Sequence, residues 1–160
     1  LNLNIYPGSI YLYDLIILTG NTMFEEEMDN RIYKLFISQF KGEEEENILF
    51  KNRLDNASDF QWENYSVPQD APPEIKNKIN EVDVVVVLSG LYSHYPDYIE
   101  LVVNTAREQN KPLVIIRPYG VENIPLELEK KAQEVVGWNA PCIVDAIKGV
   151  LGGGEGSCDI

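Results

Sequence analysis

The chain is short of positive charge. Its 160 residues carry 13 Lys and Arg against 26 Asp and Glu, a formal net charge of −13 at neutral pH. That balance argues against general nucleic-acid binding and against anionic membrane surfaces, since both need a basic patch to replace counterions. No Lys/Arg cluster interrupts it. Cysteine and histidine are scarce as well: Cys142, Cys158 and His94 are all there are. Neither cysteine belongs to a CxxC pair or a metal-ligand spacing, so no metal site is expected. Reduced thiols in a cytoplasmic protein are the expectation. Long apolar runs are also missing. The stretch IYLYDLIIL (Ile10–Leu18) is interrupted by Asp14 and is too short to span a bilayer. No basic residue precedes it and no small-residue cleavage site follows, which speaks against a signal peptide. Residues 1–30 read as an N-terminal extension, either an added strand or the product of a misplaced start. The second reading is favoured, with Met23 or Met28 as the natural beginning. The glycine-rich residues 152–160 read as a flexible tail.

What remains, residues 31–151, has the makings of one domain with a real core: 44% of the chain is apolar and 10% aromatic. Two uninterrupted β-branched runs, DVVVVL (Asp83–Leu88) and LVIIR (Leu113–Arg117), flank a segment of helical length. Such runs suit strands buried on both faces. Around them the pattern alternates. Strands are expected at Tyr33–Ser38, Phe60–Tyr65 and Glu134–Gly137. Helices are expected at Glu43–Ala57 (with Ile48, Leu49 and Leu54 as its apolar positions), Pro73–Val82, Asp97–Asn110 and Pro125–Gln133. A last helix, capped by Asn139, turns Ile143, Val144, Ile147 and Val150 inward. Five βα units with short links imply an α/β fold, a three-layer α/β/α sandwich around a five-stranded parallel sheet of flavodoxin-like order 2-1-3-4-5. Right-handed crossovers then gather the strand-end loops on one edge.

Candidate binding residues lie in those loops. Ser38-Gln39-Phe40 follows the first strand; its amides and hydroxyl could hold a phosphate or ribose, and Phe40 could stack on a base. Ser66 opens the proline-rich loop Ser66–Pro73, itself a plausible contact for a partner protein. Ser89-Gly90 ends the third strand, where glycine would allow a ligand to approach the backbone. His94 could supply a polar contact or an acid/base group. Arg117 could clamp a phosphate or pair with Glu122. Each also has an ordinary reading, as a turn residue, a solvated side chain or an organising ion pair. The acidic run Gly42–Glu46 reads as a solvated helix start matched to the helix dipole. Trp138 reads as core, or as the rim of a pocket. The loop after the first strand lacks the glycine spacing of dinucleotide or Walker sites and the Ser/Thr-dense phosphate loop of flavodoxins, so no flavin or other bound cofactor is expected. A phosphoacceptor receiver needs aspartates where this chain has Ser38-Gln39 and Leu88-Ser89.

VVVVLSGLY, the helix ending in AREQNKP, and LVIIRPYGVENIPLELEKKAQEVVGWNAPCIVDAI together resemble a small archaeal family without a settled activity. That family has a flavodoxin-like fold and is grouped with TIR-like domains, a set that includes the TIR-like component of Thoeris antiphage defence. The resemblance is close over Asp83–Leu151, looser over Tyr33–Val82, where LFIS and NYSVP match, and absent from residues 1–30. TIR-like relatives that are enzymes cleave NAD at the nicotinamide–ribose bond, using a glutamate in a W-x-x-x-E-like context on the helix after the third strand. The resemblance therefore implies a nucleotide-recognising signalling or defence domain with NAD as a substrate, Glu100 as the nearest catalytic carboxylate and Asp97 as the alternative one turn earlier. The tryptophan is absent, with Tyr95 and Tyr98 as the neighbouring aromatics. Two other classes stay open: a non-catalytic module that self-associates or binds a protein partner, and a nucleoside deoxyribosyltransferase-like enzyme, which shares the layout.

Overall fold

In a computed structural model, residues 29–118, 124–138 and 141–152 are described. The expectations for residues 1–28, for the tail beyond Gly152 and for the Asn139 cap fall outside them; Gly152, assigned to the tail from sequence, is the last residue of the final helix. Elements alternate along the chain: β1 (Ile32–Ile37), α1 (Glu45–Asn56), β2 (Gln61–Asn64), α2 (Pro72–Glu81), β3 (Val84–Leu88), a 3-10 turn (Ser89–Ser93), α3 (Pro96–Glu108), β4 (Leu113–Ile116), α4 (Leu126–Glu129), β5 (Glu134–Val136) and α5 (Ile143–Gly152). The sheet is five-stranded, all its pairings are parallel, and its order is β2-β1-β3-β4-β5. This is the flavodoxin-like 2-1-3-4-5 arrangement.

The period-two alternation of the strands builds two cores. Leu35, Ile37, Val84, Val86, Leu88, Val114 and Ile116 pack with Phe50 and Leu54 of α1 and with Ile143, Ala146 and Ile147 of α5. Their sequence neighbours Phe36, Val85, Val87, Leu113 and Ile115 face the opposite way, onto Ile75 and Ile79 of α2 and Ile99, Val102, Val103 and Ala106 of α3. All five residues of β3 are buried, as a central strand covered on both faces requires. The edge strand β2 is mostly exposed.

Three details depart from expectation. In α1 the buried positions are Asn47, Phe50 and Leu54, while Ile48 and Leu49 are 50% and 46% exposed. The helix is rotated because Asn47 points inward, its Nδ2 donating to the Ser38 carbonyl over 2.9 Å. Helix α4 is a single turn: Lys131 and Ala132 donate to carbonyls only three residues back, so the chain tightens and turns into β5. Cys142 is disulfide-bonded rather than a reduced thiol, and Cys158 lies outside the described residues. No helix among the described residues is long and apolar enough to cross a membrane.

Candidate functional site

A cleft of about 390 Å³ opens at the carboxyl edge of the sheet, lined by Phe40, Gln69, His94, Tyr95, Pro96, Asp97, Tyr98 and Leu101. Its walls come from the loops after β1 (Phe40) and β2 (Gln69) and from the segment joining β3 to α3. The sequence builds it locally. Pro96 starts α3 without needing a backbone donor, and this sets Tyr95 just outside the helix and Asp97 and Tyr98 in its first turn. Phe40 stacks on Tyr95 with ring centroids 3.7 Å apart and meets Tyr98 edge-on at 5.6 Å. Tyr98 is the fixed floor: it is 6% exposed, and its hydroxyl accepts a hydrogen bond from the Gln39 amide at 2.8 Å. Burial pushes the Tyr98 phenol up to about 12, so it stays neutral at physiological pH.

The rim is polar. The Lys41 amide donates to Gln69 Oε1 at 2.8 Å, which orients that side chain. Lys41 Nζ and Asp70 Oδ2 pair at 2.8 Å in the open, the contact raising the lysine and lowering the aspartate. His94 and Asp97 are exposed on the rim, and Ser93 Oγ lies 3.1 Å from His94 Nδ1. Among the described residues no group of three or more His, Cys, Asp and Glu is placed to hold a metal ion.

Of the residues singled out from sequence, the cleft gathers Phe40, His94 and Asp97, with Gln39 supporting its floor. The three serines are occupied elsewhere. Ser38 is fully buried, and its Oγ accepts from the Leu88 amide at 2.8 Å, tying β1 to β3. Ser89 is fully buried and donates to the Ile116 carbonyl at 2.8 Å, tying β3 to β4. Ser66 Oγ accepts from the Ile37 amide at 2.8 Å and donates to Asn64, closing the β2 loop. Gly90 has a packing role: a Cβ there would stand 2.7 Å from Glu46 Oε1, so the turn admits a carboxylate from α1 rather than a ligand. Arg117 pairs with Glu129 (Nε to Oε2 3.0 Å, Nη2 to Oε1 3.3 Å), which raises it further, and Glu122 lies outside the described residues.

Glu100 is exposed and does not line the cleft. Its Oε2 accepts from Tyr92 Oη at 3.1 Å, a contact that raises the phenol. Four residues beyond Tyr95 and Tyr98, where a W-x-x-x-E pattern would put its acid, stand Ile99 and Val102, both fully buried. The sequence did not single out Gln69, Pro96, Tyr98 and Leu101 as cleft residues, nor Glu46 as the acid packed on the Gly90 turn. Glu46 had a signal: it precedes Phe50 by four and so shares the inner face of α1.

A family model for the TIR-like domain of the Thoeris protein ThsB matches residues 22–123. A comparison with curated proteins finds no match. The family match runs from before β1 to beyond β4 and so takes in every strand and loop that forms the cleft, which identifies the chain as a member of the TIR-like domain family of the Thoeris protein ThsB.

Proposed function

We propose that this domain recognises a nucleotide in signalling or defence, with the cleft seating a planar ring of NAD or a close relative. The observation that carries the reading is the position and lining of the cleft. It lies at the carboxyl ends of β1, β2 and β3, beside the β1–β3 switch point where open α/β sheets bind ligands, and its lining includes the stacked Phe40–Tyr95 pair above the buried Tyr98. Gln69, His94 and Asp97 supply polar partners for ring nitrogens and ribose hydroxyls.

The reaction that suits this lining is cleavage of the nicotinamide–ribose bond. The C1′–N1 bond breaks, its electron pair leaves with the nicotinamide nitrogen, and water adds to the ribosyl oxocarbenium ion, releasing a proton. Asp97, which lines the cleft where Glu100 does not, is the carboxylate that would stabilise the developing positive charge. A second reading, recognition without turnover, is favoured by the buried Ile99 and Val102 and by the outward Glu100.

The test is incubation of the full chain with NAD, reading nicotinamide release and NAD binding together. Release that is lost in Asp97→Asn and kept in Glu100→Gln supports the catalytic reading. Binding without release supports the recognition module. Release lost in Glu100→Gln alone removes Asp97 from its role, and absence of both binding and release overturns the proposal.

A further inference from the structure

A second cleft, of about 270 Å³, lies at the opposite edge of the sheet and is lined by Arg107, Asn110, Lys111 and Gln133. Lys111 immediately precedes the approach to β4, Gln133 precedes β5, and Arg107 and Asn110 come from the end of α3 and the turn after it. In a chain of net charge −13, a cleft with two cations and no carboxylate in its lining is an exception. Glu108 and Glu134, adjacent in sequence, do not line it.

Two of its side chains are held by the backbone. Lys111 Nζ donates to the Val82 carbonyl at 3.0 Å, which fixes the ammonium and leaves two of its protons for other acceptors. Gln133 Oε1 accepts from the Leu113 amide at 2.7 Å, so its acceptor is used and its NH₂ group remains as a donor. Asn110 is the left-handed residue after α3, at φ 56°. It turns the chain so that Lys111 follows directly, and the Lys111 amide closes back on the Ala106 carbonyl at 2.8 Å. None of the described ion pairs takes up Arg107 or Lys111. The cleft thus presents a guanidinium, an ammonium and amide donors, with its one well-placed amide acceptor already engaged.

We propose that this cleft is an anion site for a phosphate group, borne by a phosphate monoester or by free phosphate, and separate from the aromatic cleft. A tetrahedral oxyanion offers enough acceptor oxygens for the Arg107 fork, the Lys111 ammonium and the Gln133 amide together. The proposal is independent of what the aromatic cleft binds.

The probe is inorganic phosphate, titrated into the full-length chain at constant ionic strength, with ¹H–¹⁵N correlation spectra as the readout. Saturable shifts are expected at the Asn110 and Lys111 amides and at the Gln133 side-chain NH₂. Arg107→Gln, an exposed position, keeps the remainder of the spectrum and weakens the affinity about tenfold, the loss of one charge-assisted contact. A phosphate monoester that saturates the same signals more tightly than phosphate assigns the site to a phosphorylated small molecule; the reverse order assigns it to the free ion. Shifts that do not saturate, that are unchanged in Arg107→Gln, or that acetate reproduces at equal ionic strength overturn the proposal.

Discussion

The hydroxyls at the strand ends illustrate how residue type and residue role separate. Ser38 and Ser89 stand where ligand contacts occur in open α/β sheets, yet both are buried and satisfy backbone groups of neighbouring strands. Removing one leaves a buried amide or carbonyl without its partner, so Ser38→Ala should cost about 1–3 kcal/mol in urea unfolding. The nucleotide affinity of the folded protein should stay as it was. Sequence could mark these serines as polar at a strand end but could not tell which backbone group each would bond, because that depends on the register between strands and on the direction each side chain takes. Tyr98 permits a sharper test. Its folded value of about 12 stands above its ordinary 10.0, so burial favours the neutral phenol. The stability linked to it is fully present below pH 10 and is lost as pH rises towards 12. Two units correspond to about 2–3 kcal/mol. Tyr98→Phe should lack that alkaline loss. Unfolding midpoints between pH 9 and 12 should therefore converge or cross, with the wild type falling faster.

At the scale of elements, the strands were the most legible part. Asp83–Leu88 and Leu113–Arg117 announce themselves as runs of β-branched residues, and their buried cores follow that pattern residue by residue. Helix α1 was less legible, because a polar residue chose its inner face. Asn47 anchors the Ser38 carbonyl from within the core, and Ile48 and Leu49 are turned out to solvent. Asn47→Ala should destabilise by about 1–2 kcal/mol, whereas Ile48→Lys should stay within about 0.5 kcal/mol of wild type. Chemical denaturation of the two variants side by side decides whether the helix is oriented by Asn47 or by its apolar residues. In α3 the acid that the resemblance pointed to, Glu100, lies on the outer face and touches Tyr92. Glu100→Gln is accordingly expected to leave stability unchanged within about 0.5 kcal/mol. Such a helix face is legible only once one knows which positions the core has claimed, here Ile99, Val102, Val103 and Ala106.

For the whole molecule, the cleft lies at the carboxyl edge of the sheet, where open α/β sheets generally bind ligands. Among the described residues, two clefts lie at opposite ends of the strands, one lined by aromatic side chains and one by basic ones. The aromatic cleft was legible in outline, as a meeting of three strand-end loops, while its lining was not. Tyr95 and Tyr98 enter through the way Pro96 starts α3, and Gln69 enters through a bond to the Lys41 backbone. The central claim is that this cleft binds a nucleotide through its aromatic wall. Calorimetric titration of NAD into the full chain tests it most directly, with Tyr95→Ala as the variant and circular dichroism as the check on its fold. Saturable binding by the wild type, weakened at least about tenfold in Tyr95→Ala by the loss of a stacking surface, is the predicted result. Absence of binding, or binding that Tyr95→Ala leaves unchanged, would contradict the account.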